Sequence, residues 1–527
     1  MPPNNRRGGI MTNEIKRYLI SIITTTAMLL AYSSAYSTTV QLADDDIRGL
    51  NICAGVIALF SQEADSIWPG YDLSKQPFIF YNPDKWVLLF NSPGQPDGFI
   101  EYPSNWPDLG AKALYHAGQY DNLSGQLSFD VQVDTLLVAA VPNSEDSVAK
   151  EFGFIVHECF HQYQYHHFGE IPWEREEKYP MLDAGNTALA YLEMQSLMAA
   201  LKESEVDNKQ ECLAKLKQFV AIRKARWGRD DNYLTQYERG KELSEGTARY
   251  VEIKCLTKFK SMNYQPANGL SDIRNDFPNR TFVDYIINDF NNRITDGAIS
   301  PENMPRFRIY SMACAQAYLL DYLNINWQDK AQIAGDEFDY YHLFIEHLGL
   351  NDDVLDALAK ATMTEYKYGE VYNRAQALVD AYKNDYQQAL DKFMAQPGIK
   401  VKISFSSQGI RRSRSSSATK WLFDNGGIEM REHYRIYSLE KSGLLLQLKD
   451  AGLIEKNNWQ TNERTVVLFL PRIGTTMIDG RKYNARDNLQ VDFDSIEMTT
   501  DNFDFKYEGK GLITGDGKAI TIDLIKH

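Results

Sequence analysis

The sequence predicts an α+β protein: a mixed sheet leads into a mainly helical region, and an all-β domain follows at the C-terminal end. Three observations carry this. Short β-rich runs separated by Pro, Gly and Asn occupy the stretch up to residue 142, helical apolar periodicity dominates 143–397, and apolar–polar alternation takes over beyond Pro397. A chain of 527 residues is also too long for a single core, and the texture divides it into 1–35, 36–142, 143–397 and 398–527.

Residues 1–35 have the three-part layout of a secretory signal peptide. Lys16 and Arg17 precede an apolar stretch from Tyr18 to Leu30, small residues Ser33, Ser34 and Ala35 offer a cleavage site, and Met11 is a candidate start. The expected location is therefore secreted or periplasmic. No second apolar run reaches the roughly 20 residues that cross a bilayer, so no membrane span is expected in the mature chain. Ile47 to Ile67 reads as a helix, and Phe78–Tyr81, Trp86–Phe90, Leu127–Val133 and Leu136–Val141 read as strands. Further helices are expected over Leu189–Leu201, Glu211–Trp227, Tyr237–Cys255, Phe307–Leu323 and Asp353–Phe393. In the last region Val401, Ile403 and Phe405 alternate with polar residues, as do Phe503, Phe505 and Tyr507, while Thr465–Leu470 and Ile520–Ile525 are compact strands.

Charge and cysteine content narrow the class. With 71 acidic against 56 basic residues the formal charge is −15, which argues against a nucleic-acid partner, since phosphate neutralisation needs a concentrated basic face. The one dense basic run, Arg411, Arg412 and Arg414, reads as a solvated loop. Five cysteines do not make a disulfide framework. Cys159 reads as a small buried filler, and one pair among Cys53, Cys212, Cys255 and Cys314 has the option to bridge in an oxidising compartment. Sequons stand at Asn122 and Asn279.

The chemistry concentrates in His157-Glu158-Cys159-Phe160-His161, an H-E-x-x-H run. Val148, Phe152, Ile155, Val156, Cys159, Phe160 and Tyr163 recur at helical intervals around it, and the segment from Ser144 to Ser147 offers an N-cap. On that helix residues four apart share a face, so both imidazoles can grip one ion while Glu158 reaches a metal-bound water. A catalytic zinc needs a third protein ligand. His167 stands where a third histidine would follow if the helix turned sharply. However, the chain has Gln164 rather than glycine at that turn, and a continuing helix leaves His167 about 80° off the direction of His157. Glu245, in Leu243-Ser244-Glu245-Gly246-Thr247-Ala248-Arg249-Tyr250, is the leading candidate; Gly246 and Ala248 would allow two helices to approach closely. Glu193, in Tyr191-Leu192-Glu193-Met194, is the next, and otherwise a partner for a zinc histidine.

The H-E-x-x-H run together with the E-G-x-A-x-Y segment at Glu245 resembles the gluzincin metallopeptidases. The resemblance implies a zincin-like catalytic domain, Zn²⁺ held by His157, His161 and Glu245, and Glu158 as general base. Tyr310, in Tyr310-Ser311-Met312-Ala313, is similar to the tyrosine with which that group's aminopeptidases hold the oxyanion, with Tyr250 in reserve. The long interval from His161 to Glu245 and the missing G-x-M-x-N segment depart from the aminopeptidase branch. The expectation is thus a secreted zinc metallopeptidase acting on a peptide or protein substrate. Its rivals are an inert binding protein of the same fold and a zinc hydrolase of a non-peptide amide.

Overall fold

The computed structural model describes residues 42–525, apart from 84, 121–122, 124–127, 132–135, 145, 231, 416–419, 424–426, 474 and 485–487. The signal segment 1–35, the sequon Asn122 and Glu145 lie outside the described residues.

Helix α1, Asp44–Ile67, packs its apolar face against a six-stranded sheet. Its buried Asp46 fixes the docking: one carboxylate oxygen accepts from the Ala43 amide at 3.0 Å, the other from the Trp86 indole at 2.9 Å. The strands are β1 (Phe78–Asn82), β2 (Trp86–Phe90), β3 (Ile100–Glu101), β4 (Ala113–Ala117), β5 (Ser128–Val131) and β6 (Leu136–Pro142), in the order β3-β4-β2-β1-β6-β5. β1 and β6 run parallel, Phe78 opposite Ala139; the other neighbours are antiparallel. Phe78, Phe80, Trp86 and Leu88 face the main core, whereas Ile79, Tyr81, Val87 and Leu89 bury against Phe99, Leu114 and Leu123 on the far face. Burial on both faces is why β1 and β2 read as unbroken apolar runs.

A short loop turns β6 into α2, Val148–His167, the motif helix. Ser147 occupies its N-cap position, but its side chain makes no cap bond. The buried Glu151 anchors this end instead, accepting from the Ser144 amide at 2.9 Å and from Arg48 at 2.5 Å. Next come α3 (Ala184–Glu205), α4 (Lys209–Trp227) and α5 (Tyr233–Lys241), then a π-helical turn at Glu242–Gly246 and α6 (Thr247–Ser261). The expected helix Tyr237–Cys255 is therefore interrupted by that turn. After α7 (Phe282–Asn291) comes a small hairpin, β7 (Ile294–Thr295) and β8 (Ala298–Ile299). Five more helices follow: α8 (Phe307–Tyr322), α9 (Gln328–Ala334), α10 (Tyr340–Leu348), α11 (Asp352–Glu365) and α12 (Tyr368–Met394). The expected helix Asp353–Phe393 is two helices, because Lys367 takes a left-handed conformation at φ +53°.

The helices enclose a buried ionic cluster. Arg226 donates to Glu193 at 2.5 and 3.1 Å and to Glu238 at 2.9 Å; Arg223 pairs with Glu242 at 2.7 Å, and Arg308 donates to Glu238 at 2.5 Å. Each of these side chains is almost wholly shielded from water. Breaking such a cluster leaves an uncompensated buried charge, so Arg226→Met should lower stability by about 3–5 kcal/mol. Urea unfolding followed by circular dichroism measures this; a loss below about 1 kcal/mol, the range of an exposed pair, would contradict the cluster's burial.

Beyond Met394 eleven strands form one sheet with its own apolar core: β9 (Ile399–Ser406), β10 (Arg411–Ser415), β11 (Lys420–Phe423), β12 (Ile428–Lys441), β13 (Leu444–Asn458), β14 (Glu463–Leu470), β15 (Thr475–Ile478), β16 (Arg481–Tyr483), β17 (Asn488–Thr499), β18 (Phe503–Asp516) and β19 (Ala519–Asp523). β9 alternates buried and more exposed positions, as its sequence does. The basic run is strand β10, not a loop, and Arg412 pairs with Glu455 at 3.2 Å. This sheet packs on α12 through Tyr386, Ala389 and Phe393 against Met430, Ile454 and Val467. Polar contacts add to the junction: Arg175 lies 4.5 Å over Trp459, and Lys420 lies 3.3 Å from Glu176. All five cysteines are buried and unbridged, so the possible disulfide does not form. Among the described residues no helix is long and apolar enough to cross a membrane.

Candidate metal centre

α2 presents His157 and His161 side by side, their ring centroids 4.8 Å apart. The π turn between α5 and α6 aims Glu245 at both: its Oε2 lies 3.5 Å from Nε2 of His157 and 3.5 Å from Nε2 of His161. The ligand atoms of the three residues all lie within 4.8 Å of one another, so the group can hold a metal ion. A tetrahedral ion with bonds of about 2.0–2.2 Å needs ligand separations of about 3.3–3.6 Å, which both carboxylate–imidazole distances satisfy. The π turn matters locally. It lets Glu242 point to Arg223 inside the protein while Glu245 points to the histidines. Gly246 is required here because a Cβ would come within 2.1 Å of the Ala313 Cβ, so this glycine seats the turn against α8 rather than against the motif helix.

Behind the imidazoles stands an outer set that sequence reading did not identify. His157 Nδ1 lies 3.2 Å from Oε2 of Glu252, which is seven residues, or two helical turns, beyond Glu245 and so on the same face. Glu252 is gripped in turn by Arg249, whose guanidinium also donates to Asp289 at 2.7 Å. His161 Nδ1 lies 2.7 Å from Oε1 of Gln164, whose amide donates to the Ser244 carbonyl at 2.7 Å and to Thr247 at 2.6 Å. Gln164 thus ties the second histidine to the segment carrying Glu245. These contacts fix both rings with Nε2 toward the shared point.

The charges are arranged to stabilise a cation. Burial disfavours the imidazolium of His157, yet the neighbouring carboxylates of Glu245 and Glu252 push its pKa up to about 9. Burial likewise opposes ionisation of Glu252, but Arg249 and His157 hold it down at about 2, and Glu245 is held well below the carboxylate range by the two histidines and Lys241. Glu158 moves the other way: burial raises its pKa against the pull of His161 and His157.

Tyr310 faces this group from α8, its ring 6.5 Å from that of His157 and its hydroxyl accepting from Arg306 Nε at 3.0 Å. Burial and the nearby Glu245 raise its pKa, so it remains a phenol. The remaining candidates lie elsewhere. His167 is exposed and stacks on Tyr163 at 4.3 Å. Glu193 is engaged on both oxygens by Arg226 and Arg223, away from the histidines. Tyr250 is buried and donates to Asp321.

The group opens into a cleft of about 970 Å³ bounded by the β6–α2 loop, α6, α7 and the start of α8. Glu252 should contribute to metal affinity through His157: Glu252→Ala is expected to weaken binding about 10–100-fold, read by competition with a chromophoric chelator. Gly153→Ala should act in the same direction, since its Cβ would stand 2.9 Å from Glu252 Oε1. Unchanged affinity in both variants would remove Glu252 from the centre. Comparison with protein-family models, with curated proteins and with solved structures gives no match.

Proposed function

We propose that this protein is a zinc-dependent metallopeptidase that works outside the cytoplasm. The observation that carries the reading is the convergence of His157, His161 and Glu245 on one point, with Glu252 and Gln164 fixing the two imidazoles from behind. Two imidazoles, which a metal would hold neutral by displacing the proton that His157 otherwise carries, and a carboxylate beside a cleft form a donor set suited to zinc. Bound there, zinc would polarise a substrate carbonyl and activate water near neutral pH. The chain supplies the remaining steps.

Glu158, raised by burial toward the working range of a general base, takes a proton from the attacking water as the new C–O bond forms. It then delivers that proton to the nitrogen as the C–N bond breaks. Tyr310, kept protonated by burial and the nearby Glu245 and oriented by Arg306, donates to the developing oxyanion. Strand β5, at the edge of the N-terminal sheet, offers backbone groups for pairing with an extended peptide. The signal-like layout of Lys16, Arg17 and the apolar stretch Tyr18–Leu30 is the reason for placing the protein outside the cytoplasm.

Metal analysis and peptide hydrolysis test the reading together. The purified protein is expected to carry one zinc per chain, to lose hydrolysis of a mixed peptide library on chelation, and to regain it when zinc is restored. Hydrolysis that persists after complete zinc removal, or a zinc-loaded protein that cleaves no peptide, would overturn it.

A further inference from the structure

The cleft beside the metal centre is lined by four arginines, and they are not equivalent. Arg249 is saturated by Glu252 and Asp289, and Arg306 is occupied by Tyr310 at 3.0 Å with Glu176 at 3.7 Å. Arg293 and Arg280 differ: among the described residues neither has a carboxylate oxygen within 4.0 Å. Arg293 follows directly on α7. Its guanidinium lies 4.8 Å over the ring of Phe307, and its Nε is shielded from solvent without a hydrogen-bond partner. Asp289, one helical turn before it, directs Oδ2 to Arg249. Arg280 stands on the loop before α7, exposed, 5.7 Å over the ring of Tyr285.

Arg293 is only partly sheltered: its Nε is shielded and unbonded, but its terminal nitrogens have no protein acceptor among the described residues and remain open to the cleft, where they can take an anion from outside. Aromatic rings mark the route from the metal centre to that charge. The ring of Phe307 is 6.0 Å from that of Tyr310, which is itself 6.5 Å from His157. Phe307 remains 45% exposed toward the cleft. A ligand held at the metal centre can therefore lie along Tyr310 and Phe307 and bring a negative group to Arg293. The planar guanidinium, steadied by its ring, matches a carboxylate with two parallel hydrogen bonds.

We propose that Arg293 forms a carboxylate-recognition subsite, so that the substrates are peptides carrying a carboxylate a few residues from the scissile bond. This rests on the peptidase reading above. The carboxylate belongs either to an acidic side chain or to a free C-terminus, and the test separates the two.

The zinc-loaded Glu158→Gln protein is titrated, by fluorescence anisotropy, with short fluorescein-labelled alanine–serine peptides. One series moves a single glutamate through every position, a second carries glutamine instead, and each is made with a free or an amidated C-terminus. An acid-dependent gain of about tenfold or more is expected, the size of a charge-assisted hydrogen bond. Further introducing Arg293→Gln should abolish the gain, with circular dichroism confirming that the double variant folds. If the glutamate series alone shows the gain, the carboxylate is a side chain; if only the free-acid series does, it is the C-terminus.

Equal binding of acidic and neutral peptides, no binding at all, or a preference that survives Arg293→Gln would each overturn the subsite. Hydrolysis by the wild-type protein is scored separately with the same peptides. Cleavage without any acid preference sinks the subsite and leaves the peptidase reading standing. Acid-selective binding without cleavage does the reverse.

Discussion

Glu158→Gln is expected to lower peptide hydrolysis by about 10²–10⁴-fold while leaving zinc content at one per chain. The expectation follows from position. Glu158 lies in the cleft beside both histidines, but it is not among the three residues whose ligand atoms converge. Glutamine keeps the size and a hydrogen-bonding oxygen but cannot accept a proton at neutral pH. The two readouts therefore part company: the metal stays and turnover goes. Atomic absorption and initial-rate measurements on the same preparation check this. Near-normal turnover in a zinc-loaded variant would mean that another group accepts the proton and that the assigned mechanism is wrong.

The second large effect separates two glutamates that the sequence leaves in competition. Glu245→Ala should reduce zinc affinity by more than the roughly 10–100-fold that removal of an outer partner costs, with the fold intact, because Glu245 stands 3.5 Å from both imidazole Nε2 atoms. Glu193→Ala should do the opposite: the protein is destabilised, since Arg226 and Arg223 lose a fully buried counter-charge, and the surviving folded fraction still binds zinc. Zinc titration alongside urea unfolding reads both. If Glu193→Ala lost zinc from a stable fold while Glu245→Ala kept it, the ligand set would be misassigned.

Much of this was legible in the sequence, for physical reasons that differ by element. Strands β1 and β2 were legible because burial on both faces leaves no polar position, and the motif helix because its apolar stripe runs from Val148 through Tyr163, most of it on the N-terminal side of the histidines. The π turn was not legible. Glu-Leu-Ser-Glu-Gly is compatible with ordinary helix, and only the close seat of Gly246 against Ala313 and the demands of Arg223 on one side and two imidazoles on the other make it unwind. Glu193 misled because a charge among apolar residues signals a partner without naming it, and its partners lay on α4. Glu252 could have been found from its spacing to Glu245. Gln164 was read only for the glycine it replaces, although its three-residue offset from His161 puts it within reach of that ring. Arg293 could not have been found, because its significance lies in the partners it lacks.

Glu176 gives the C-terminal sheet a stake in the cleft. One of its oxygens faces Lys420 of β11 at 3.3 Å and the other faces Arg306 at 3.7 Å, and Arg306 holds the Tyr310 hydroxyl. Docking of the sheet and order at the cleft rim thus share a single carboxylate, and equilibria that share a group are thermodynamically linked in both directions. A ligand that tightens the rim strengthens the sheet's hold on the helices, and a sheet that peels away loosens the arginine that holds the Tyr310 hydroxyl. Through Glu176 the eleven strands are coupled to the rim of the cleft, so their attachment and the order of Arg306 are expected to vary together.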